Sequence, residues 1–318
     1  MVTLITGATG FIGRHLVRAL RSQGRYVRCF VRKTSNTKPL EKLGVELVYG
    51  DLLDPSTIPF ALRDVDIIYH LAGVVYPRDK TAPYKANILM TKNLLNACVG
   101  QNICKFIYLS SIAAAIGTNS WIVDETSPCN PVTRYGKSKL EAERLLINFM
   151  KEKGLPAIIV RSPLVYGPYQ SEFSRAAMLF RSIKKRTFRI IGDGTNLISL
   201  CYIDNLIQGL LLVEKRGKLG EIYFIADERP YTLKEIAEVI AQKEHVKLAR
   251  FHIPSWLALF VAHILPHSSR KVIREMTSNW ACDISKAKRE LGYLPKVNLE
   301  EGVKKTVDWY ESMTGVNR

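Results

Sequence analysis

The chain of 318 residues reads as an α/β protein, a doubly wound parallel sheet followed by a smaller C-terminal α/β lobe. Three observations predict this. Short β-branched runs alternate with helix-length amphipathic stretches up to about residue 165, which is the pattern of successive βαβ units. A glycine-rich turn follows the first of those runs. Loop-like stretches at Gly167-Pro168, Gly192-Asp193-Gly194 and Arg229-Pro230 then break the alternation. Residues 1–166 are therefore expected to form the doubly wound domain, and residues 167–318 mainly a second lobe with some segments returning to the first.

Strands are expected at Val2–Thr6 and Tyr26–Val31, and near 46–50, 67–71, 105–110 and 157–160. These runs are almost continuously apolar because a parallel sheet is covered on both faces. Helices should begin near Phe11, Pro39, Pro55, Tyr84, Arg134 and Glu172. In the second lobe, residues 233–242 and 284–291 read as isolated surface helices. No internal repeat or low-complexity tract interrupts the chain.

At this length the chain can bury a core without disulfides or a structural metal. Its six cysteines, Cys29, Cys98, Cys104, Cys129, Cys201 and Cys282, form no CxxC pair, so neither a zinc knuckle nor a redox dithiol is written here and no metal is expected. Met1 leads directly into Val2-Thr3-Leu4-Ile5, a strand rather than the charged start of a signal peptide. The expectation is a cytoplasmic protein in a reducing compartment. The formal charge is +17, which suits nucleic acid, an anionic membrane surface, or an anionic cofactor and substrate. The basic residues are spread along the chain without a nucleic-acid module, so the reading is a small-molecule substrate and no nucleic acid.

Gly7-Ala8-Thr9-Gly10-Phe11-Ile12-Gly13 lies between the first strand and the first helix. Glycines at that spacing allow positive φ and let backbone approach a pyrophosphate at a helix N-terminus, where free N–H groups favour an anion. A carboxylate ending the second strand would accept from adenosine ribose hydroxyls, whereas an arginine pairs with a 2′-phosphate. Here the strand ends Phe30-Val31-Arg32-Lys33, which favours NADP over NAD through Arg32. Asp51, beside Leu52 after the third strand, reads either as an acceptor for the adenine amino group or as a turn aspartate.

Tyr135-Gly136-Lys137-Ser138-Lys139 places a phenol and an ammonium four apart, on one face of a helix. An unperturbed tyrosine, with a pKa of about 10, is a poor base at neutral pH, and a neighbouring cation would favour its phenolate. Ser110-Ser111 ends an apolar strand, at the edge where open α/β sheets place their sites. A hydroxyl there can bond a substrate oxygen.

With these in order, the chain resembles an extended short-chain dehydrogenase/reductase of the epimerase/dehydratase kind, a Rossmann-type fold, over nearly its whole length. The residues that carry the resemblance are TGATGFIG from Thr6, GDLLD from Gly50, HLAG from His70, Asn87 with Thr91, LSS ending at Ser111, YGKSK from Tyr135 and RSPLVYGP from Arg161. GDGTN from Gly192, YIDN from Tyr202 and DISKAKRELGYLP from Asp283 follow. The resemblance implies Tyr135 as general acid/base, Lys139 as its electrostatic partner and nicotinamide-ribose ligand, and Ser111 as the substrate-oxygen donor. It further implies a cofactor lying against Gly7, Thr9, Gly10, Phe11 and Ile12, with Arg32, Asp51 and Leu52 toward the adenosine, Leu71, Ala72 and Gly73 along it, and Pro163 and Val165 bordering the nicotinamide. His70 reads either as part of that wall or as strand-end packing.

Two departures from the family pattern matter. The stretch Ile112-Ala113-Ala114-Ala115-Ile116 is one residue longer than expected, which leaves Ser110 as an alternative hydroxyl. Met90 stands where the family often has glycine, which weakens any role for Asn87.

Nucleotide-sugar enzymes of the family often carry an arginine-x-glycine-aspartate segment before the closing signature; here the stretch is Arg274-Glu275-Met276-Thr277, leaving Arg274 or Arg270 as substitutes. Residues 253–266 are unusually apolar, contain Trp256, and are flanked by Arg250, His252, His267, Arg270 and Lys271. The run is too short to span a bilayer, which takes about 20 apolar residues. It reads either as a buried helix lining the substrate lobe or as peripheral membrane contact from Trp256 to Leu265 at the inner face of a membrane. This segment and the GYLP ending resemble the branch with 3β-hydroxysteroid dehydrogenases and dihydroflavonol reductases. The expected activity is NAD(P)-dependent hydride transfer on a lipophilic secondary alcohol or ketone. The alternatives are a nucleotide-sugar 4-epimerase or dehydratase with tightly bound NAD, and a non-catalytic dinucleotide-binding protein. A homodimer through surface helices is the family's habit.

Overall fold

The apolar runs of the first half become β1 (Val2–Thr6), β2 (Tyr26–Val31), β3 (Glu46–Tyr49), β4 (Val65–His70), β5 (Lys105–Ser111) and β6 (Ala157–Ser162) in a computed structural model of the protein. It describes residues 1–75, 82–116, 121–249, 252–264 and 277–314. Between and after these strands lie α1 (Phe11–Ser22), α2 (Lys38–Glu41), α3 (Ile58–Ala61), α4 (Ala82–Cys98) and α5 (Arg134–Lys153). The second half adds β7 (Leu164–Tyr166), α6 (Arg175–Lys184), β8 (Leu197–Ile198), β9 (Leu200–Tyr202), α7 (Ile203–Arg216), β10 (Ile222–Phe224), β11 (Tyr231–Thr232), α8 (Leu233–Lys243), α9 (Ser255–Ile264), α10 (Ser285–Leu291) and α11 (Leu299–Thr314).

Seven strands pair in the order β3-β2-β1-β4-β5-β6-β10, every pair parallel. The chain runs outward one way from β1 to β3 and the other way from β4 to β6. That reversal opens a crevice at the carboxyl ends of β1 and β4, where such sheets bind ligands. Alternate side chains serve the two faces. Ile5 joins Leu16, Val17 and Leu20 of α1 and Leu206 and Leu210 of α7, while Leu4 joins Leu94 and Leu95 of α4 and Ala142 and Leu146 of α5.

Several elements differ from expectation. β4 begins earlier than residue 67 and ends at His70. α6 starts at Arg175 instead of near Glu172, because the Ser174 hydroxyl accepts from Ala177 N at 3.0 Å and caps the helix there. β10 was not legible as a strand, yet it completes the sheet against β6. The helices near 233–242 and 284–291 are not isolated. α8 buries Leu233, Ile236, Ala237 and Ile240, the i, i+3, i+4, i+7 stripe of a core-facing helix, and packs on α6 and α11. α10 buries Ala287 and Leu291 against α7 and β10.

Asn205 of α7 joins the segments that follow β10 and α10. Its carbonyl accepts from Lys296 N and Val297 N at 3.0 and 3.1 Å, and its amide donates to Val297 O at 2.8 Å and Asp227 Oδ1 at 2.7 Å. α9 stands apart. Trp256 is 70% and Phe260 62% exposed, with Leu257 exposed beside them, so the reading of this segment as a buried helix is overturned at these positions. No helix among the described residues is long and apolar enough to cross a membrane. Arg250, Leu265, Pro266, His267, Arg270, Lys271 and Arg274 lie outside the described residues.

Candidate active site

The loop after β1 is built by backbone packed on backbone. Gly7 sits at φ 74, and a side chain there would begin 2.7 Å from Ala72 N; one at Gly13 would begin 2.2 Å from Gly7 O. Only glycine allows both. Gly10 caps α1 without a side-chain bond to its N–H groups and no acid occupies the first turn, so the positive helix end is presented to an anion. Thr9 is half-buried and its carbonyl accepts from Arg14 Nε at 2.8 Å. Half-buried Phe11 and Ile12 begin the helix and pack on the core. Across the crevice Leu71 N bonds Thr6 O at 3.2 Å, and Gly73 is exposed.

Toward the other end of the crevice, Arg32 is exposed just beyond β2. The Phe30 ring lies against Gly50, where a side chain would begin 2.5 Å from it. Asp51 uses Oδ1 to accept from Leu53 N at 2.9 Å, the geometry of a turn aspartate. Leu52 is buried and its carbonyl accepts from Asn93 Nδ2 at 2.8 Å.

Ser111 ends β5, and α5, which carries Tyr135 and Lys139, packs against that end of the strand and the turn that follows it. Thr133 caps α5 by accepting from Gly136 N at 2.8 Å, which starts the helix one residue before Tyr135. Gly136 lets α5 press on the short 3-10 turn after Ser111, since a side chain there would begin 2.1 Å from the Ala113 carbonyl oxygen. Lys139 Nζ donates to Leu109 O at 2.6 Å and lies 4.3 Å from the centre of the Tyr108 ring, a cation–π contact. Lys139 is 4% exposed, and burial pushes its ammonium down to about 7 against the opposing pull of Glu143. The half-buried Ser111 hydroxyl accepts from Ala113 N at 3.2 Å. Ser110, by contrast, is buried and its hydroxyl bonds Glu143. Pro163 is buried at the β6–β7 junction, and half-buried Val165 pairs with Cys201 of β9.

His70 faces inward. It is fully buried, and burial pushes its imidazole down to about 3, so the ring is neutral. Thr91 donates to Asn87 O at 3.0 Å, so its oxygen receives the His70 Nε2 proton at 3.0 Å, while Nδ1 accepts from Thr6 Oγ1 at 2.7 Å. Asn87, whose role Met90 weakens in the sequence, makes structural bonds. Its Oδ1 accepts from Val74 N at 2.7 Å, and its Nδ2 donates to Val74 O at 3.0 Å and Ser138 Oγ at 3.2 Å. Asn87 thus ties the strand-end loop to the helix carrying Tyr135. Sequence reasoning passed over Gly136 and Glu143; the spacing of 135, 139 and 143 was the signal for the latter, because it puts a carboxylate on the inward stripe of α5.

The glycine cradle, the open N-terminus of α1 and the buried ammonium at the sheet edge fit a dinucleotide: anion donors at one end, and a cation beside a phenol at the other. A sequence model of the family described as NAD dependent epimerase/dehydratase matches residues 3–226. A ketoreductase of 4-hydroxy-2-methyl-3-oxo-4-farnesyl-3,4-dihydroquinoline-1-oxide from Stigmatella aurantiaca is 28% identical, aligned over 95% of each chain. Sterol demethylase protein B of Methylococcus capsulatus is 29% identical over 93% of this chain and 94% of its own. The crystal structure of UDP-glucuronic acid 4-epimerase from Bacillus cereus in complex with NAD superposes with a TM-score of 0.80 at 26% identity, covering 98% of this chain and 99% of that one. With fold, crevice and motifs in agreement over this length, the chain belongs to the NAD dependent epimerase/dehydratase family, the extended short-chain dehydrogenases/reductases, and is an enzyme.

Proposed function

We propose that the protein interconverts a lipophilic secondary alcohol and its ketone. The observation that carries this reading is the packing of α5, which bears Tyr135 and Lys139, on the end of β5 at Ser111, with the Lys139 ammonium bonded to Leu109 O. A nicotinamide dinucleotide held by Gly7, Thr9, Gly10, Phe11, Ile12, Leu71, Ala72, Gly73, Pro163 and Val165 supplies the hydride acceptor or donor. Tyr135 moves the proton of the substrate hydroxyl, taking it in oxidation and giving it in reduction. Lys139 stabilises the phenolate that results. Because Ser111 accepts from Ala113 N, its own proton is left to donate to the substrate oxygen, whereas Ser110 is committed to Glu143.

Arg32, exposed with Lys33 beyond β2, supports NADP, as a guanidinium suits a 2′-phosphate; Asp51 and Leu52 would border the adenine. Residues after 166 would form most of the substrate lobe. The apolar exposed side of α9 supports a lipophilic substrate collected at the inner face of a membrane from an otherwise cytoplasmic protein, and the farnesylated substrate named for the Stigmatella relative points the same way. A homodimer is the expected assembly.

A second reading is a nucleotide-sugar 4-epimerase or dehydratase that uses the same Tyr135 and Lys139 with tightly held NAD; the likeness to the Bacillus cereus epimerase favours it. A non-catalytic dinucleotide-binding protein is disfavoured by the presence of Ser111, Tyr135 and Lys139 together. The test is a thermal-shift and turnover screen with NADP, NAD, UDP-sugars and a panel of sterol and other lipophilic alcohols. Net cofactor reduction by a lipophilic alcohol, with UDP-sugars inert, is the expected result. Stabilisation by a UDP-sugar and sugar interconversion without net cofactor reduction would replace this reading with the second.

A further inference from the structure

Tyr135, Lys139 and Glu143 follow one another at four-residue intervals along α5, and the last has not been accounted for. Glu143 is 1% exposed. Its carboxylate accepts from Arg161 Nη2 at 2.7 Å and Nε at 3.1 Å and from the Ser110 hydroxyl. It therefore grips three elements at once: its own helix, β5 at the residue before Ser111, and β6 two residues before Pro163. A buried carboxylate without such partners would be strongly unfavourable, and breaking a buried pair is far more damaging than never having it.

We propose that Glu143 is the positioning residue of the active centre, acting through Ser110 on Ser111 and through Arg161 on the Pro163 segment, and facing Lys139 with negative charge. This rests on the reading of Tyr135 and Lys139 as the proton-transfer pair.

The charges around Lys139 can be enumerated by element. α5 contributes Tyr135 and Glu143; β4 contributes His70, neutral because burial pushes it down to about 3; β5 contributes Tyr108, whose phenol burial keeps protonated; and β6 contributes Arg161, joined at Nη2 to Cys129 Sγ at 3.2 Å. Burial lowers Lys139 and Glu143 raises it. Losing the Glu143 charge therefore makes the ammonium easier to deprotonate, and it makes the Tyr135 proton easier to lose while Lys139 stays charged. In ketone reduction, which needs both protons in place, the two effects move the alkaline limb of the pH profile the same way, to lower pH.

The experiment is the pH profile of ketone reduction by Glu143→Gln and Glu143→Asp enzymes, with Tyr135→Phe beside them. Glu143→Gln is expected to shift the alkaline limb down by about one pH unit and to lower kcat roughly tenfold or more, with KM for the cofactor little changed. Glu143→Asp, which keeps the charge one carbon short, should lower kcat and leave the limb in place. Should Glu143→Gln not fold, the Glu143→Leu/Arg161→Met enzyme, with both buried charges replaced by apolar side chains, is measured instead; it should show the lowered kcat with little shift of the limb, because the lost cation offsets the lost carboxylate. A folded Glu143→Gln or double variant with the wild-type limb and kcat overturns the proposal. Undiminished turnover in Tyr135→Phe would overturn the proton-transfer reading instead, so the two failures are distinguishable.

Discussion

Around Lys139 every neighbour is fixed: the ammonium is bonded to Leu109 O and stacked on Tyr108, and the adjoining Glu143 is held from two strands. α9 is the opposite case. It presents Trp256, Leu257 and Phe260 to solvent and buries Ala258. Chemistry common to a whole family needs its groups held to within fractions of an ångström, and this chain supplies that from its sheet and α5. On the proposed function the choice of substrate would belong to parts with fewer internal constraints, which could vary without disturbing the proposed proton-transfer pair. A ketoreductase of a farnesylated quinoline oxide and a UDP-sugar epimerase can therefore share one sheet.

Tyr135→Phe should reduce kcat/KM by roughly 10²- to 10⁴-fold while the melting temperature and dinucleotide affinity stay near wild type; a variant that turns over normally would remove the phenol from the mechanism. Gly136→Ala should cost on the order of 10² in kcat, because the added methyl begins 2.1 Å from Ala113 O and must push Tyr135 away from Ser111. Normal steady-state kinetics in that variant would mean that the helix-to-turn contact is not what spaces them. Arg32→Ala is expected to weaken NADP roughly 10- to 100-fold and NAD hardly at all, which titration of both dinucleotides would reveal. On the other side of the comparison, the Trp256→Ser/Phe260→Ser variant should lose cosedimentation with anionic vesicles at least about tenfold, and equal recovery of variant and wild type would dissociate α9 from membranes.

The smallest expected effect lies at Asp227, which is bonded to Tyr202 and Asn205. Burial pushes Asp227 up to about 6, from an ordinary value of 3.8. A carboxyl raised on folding favours the native state below its unfolded pKa and loses that contribution as pH rises through the folded one. Asp227→Asn keeps an acceptor for Tyr202 N and Asn205 Nδ2 without a charge to bury. It should therefore raise the melting temperature at pH 7.5 by a few degrees relative to wild type, and the gain should shrink toward pH 4. A gain independent of pH would assign the effect to something other than this carboxyl.

The sequence made legible what depends on local pattern. β1 and β2 match their expected bounds, α1 and α5 start where expected, and the glycine loop and Tyr-x-x-x-Lys stand where the motifs put them. What it hid depends on distant partners. β10 is three residues long and is a strand only because β6 offers it an edge. Asp51 reads two ways in the sequence, and the bond that its Oδ1 accepts from Leu53 N became visible only in the structure. His70 reads either as cofactor wall or as strand-end packing, and the partners that enclose it, Thr6 and Thr91, come from other elements. Arg161 follows the apolar run at residues 157–160 of β6, and its meaning appears only when Glu143 arrives from α5.

The placement of β10 also governs how this protein can be made and cut. Ile222–Phe224 pairs with β6 from the far side of β7, α6, β8, β9 and α7. While a ribosome has delivered only the first half, β6 displays an unpaired row of N–H and C=O groups, the kind of edge onto which other chains add. A fragment ending at residue 166 would be prone to self-association, and one ending beyond residue 226 would carry its own edge cover. Final closure of the sheet awaits synthesis past Phe224, which marks this stretch of translation as the window for chaperone holding.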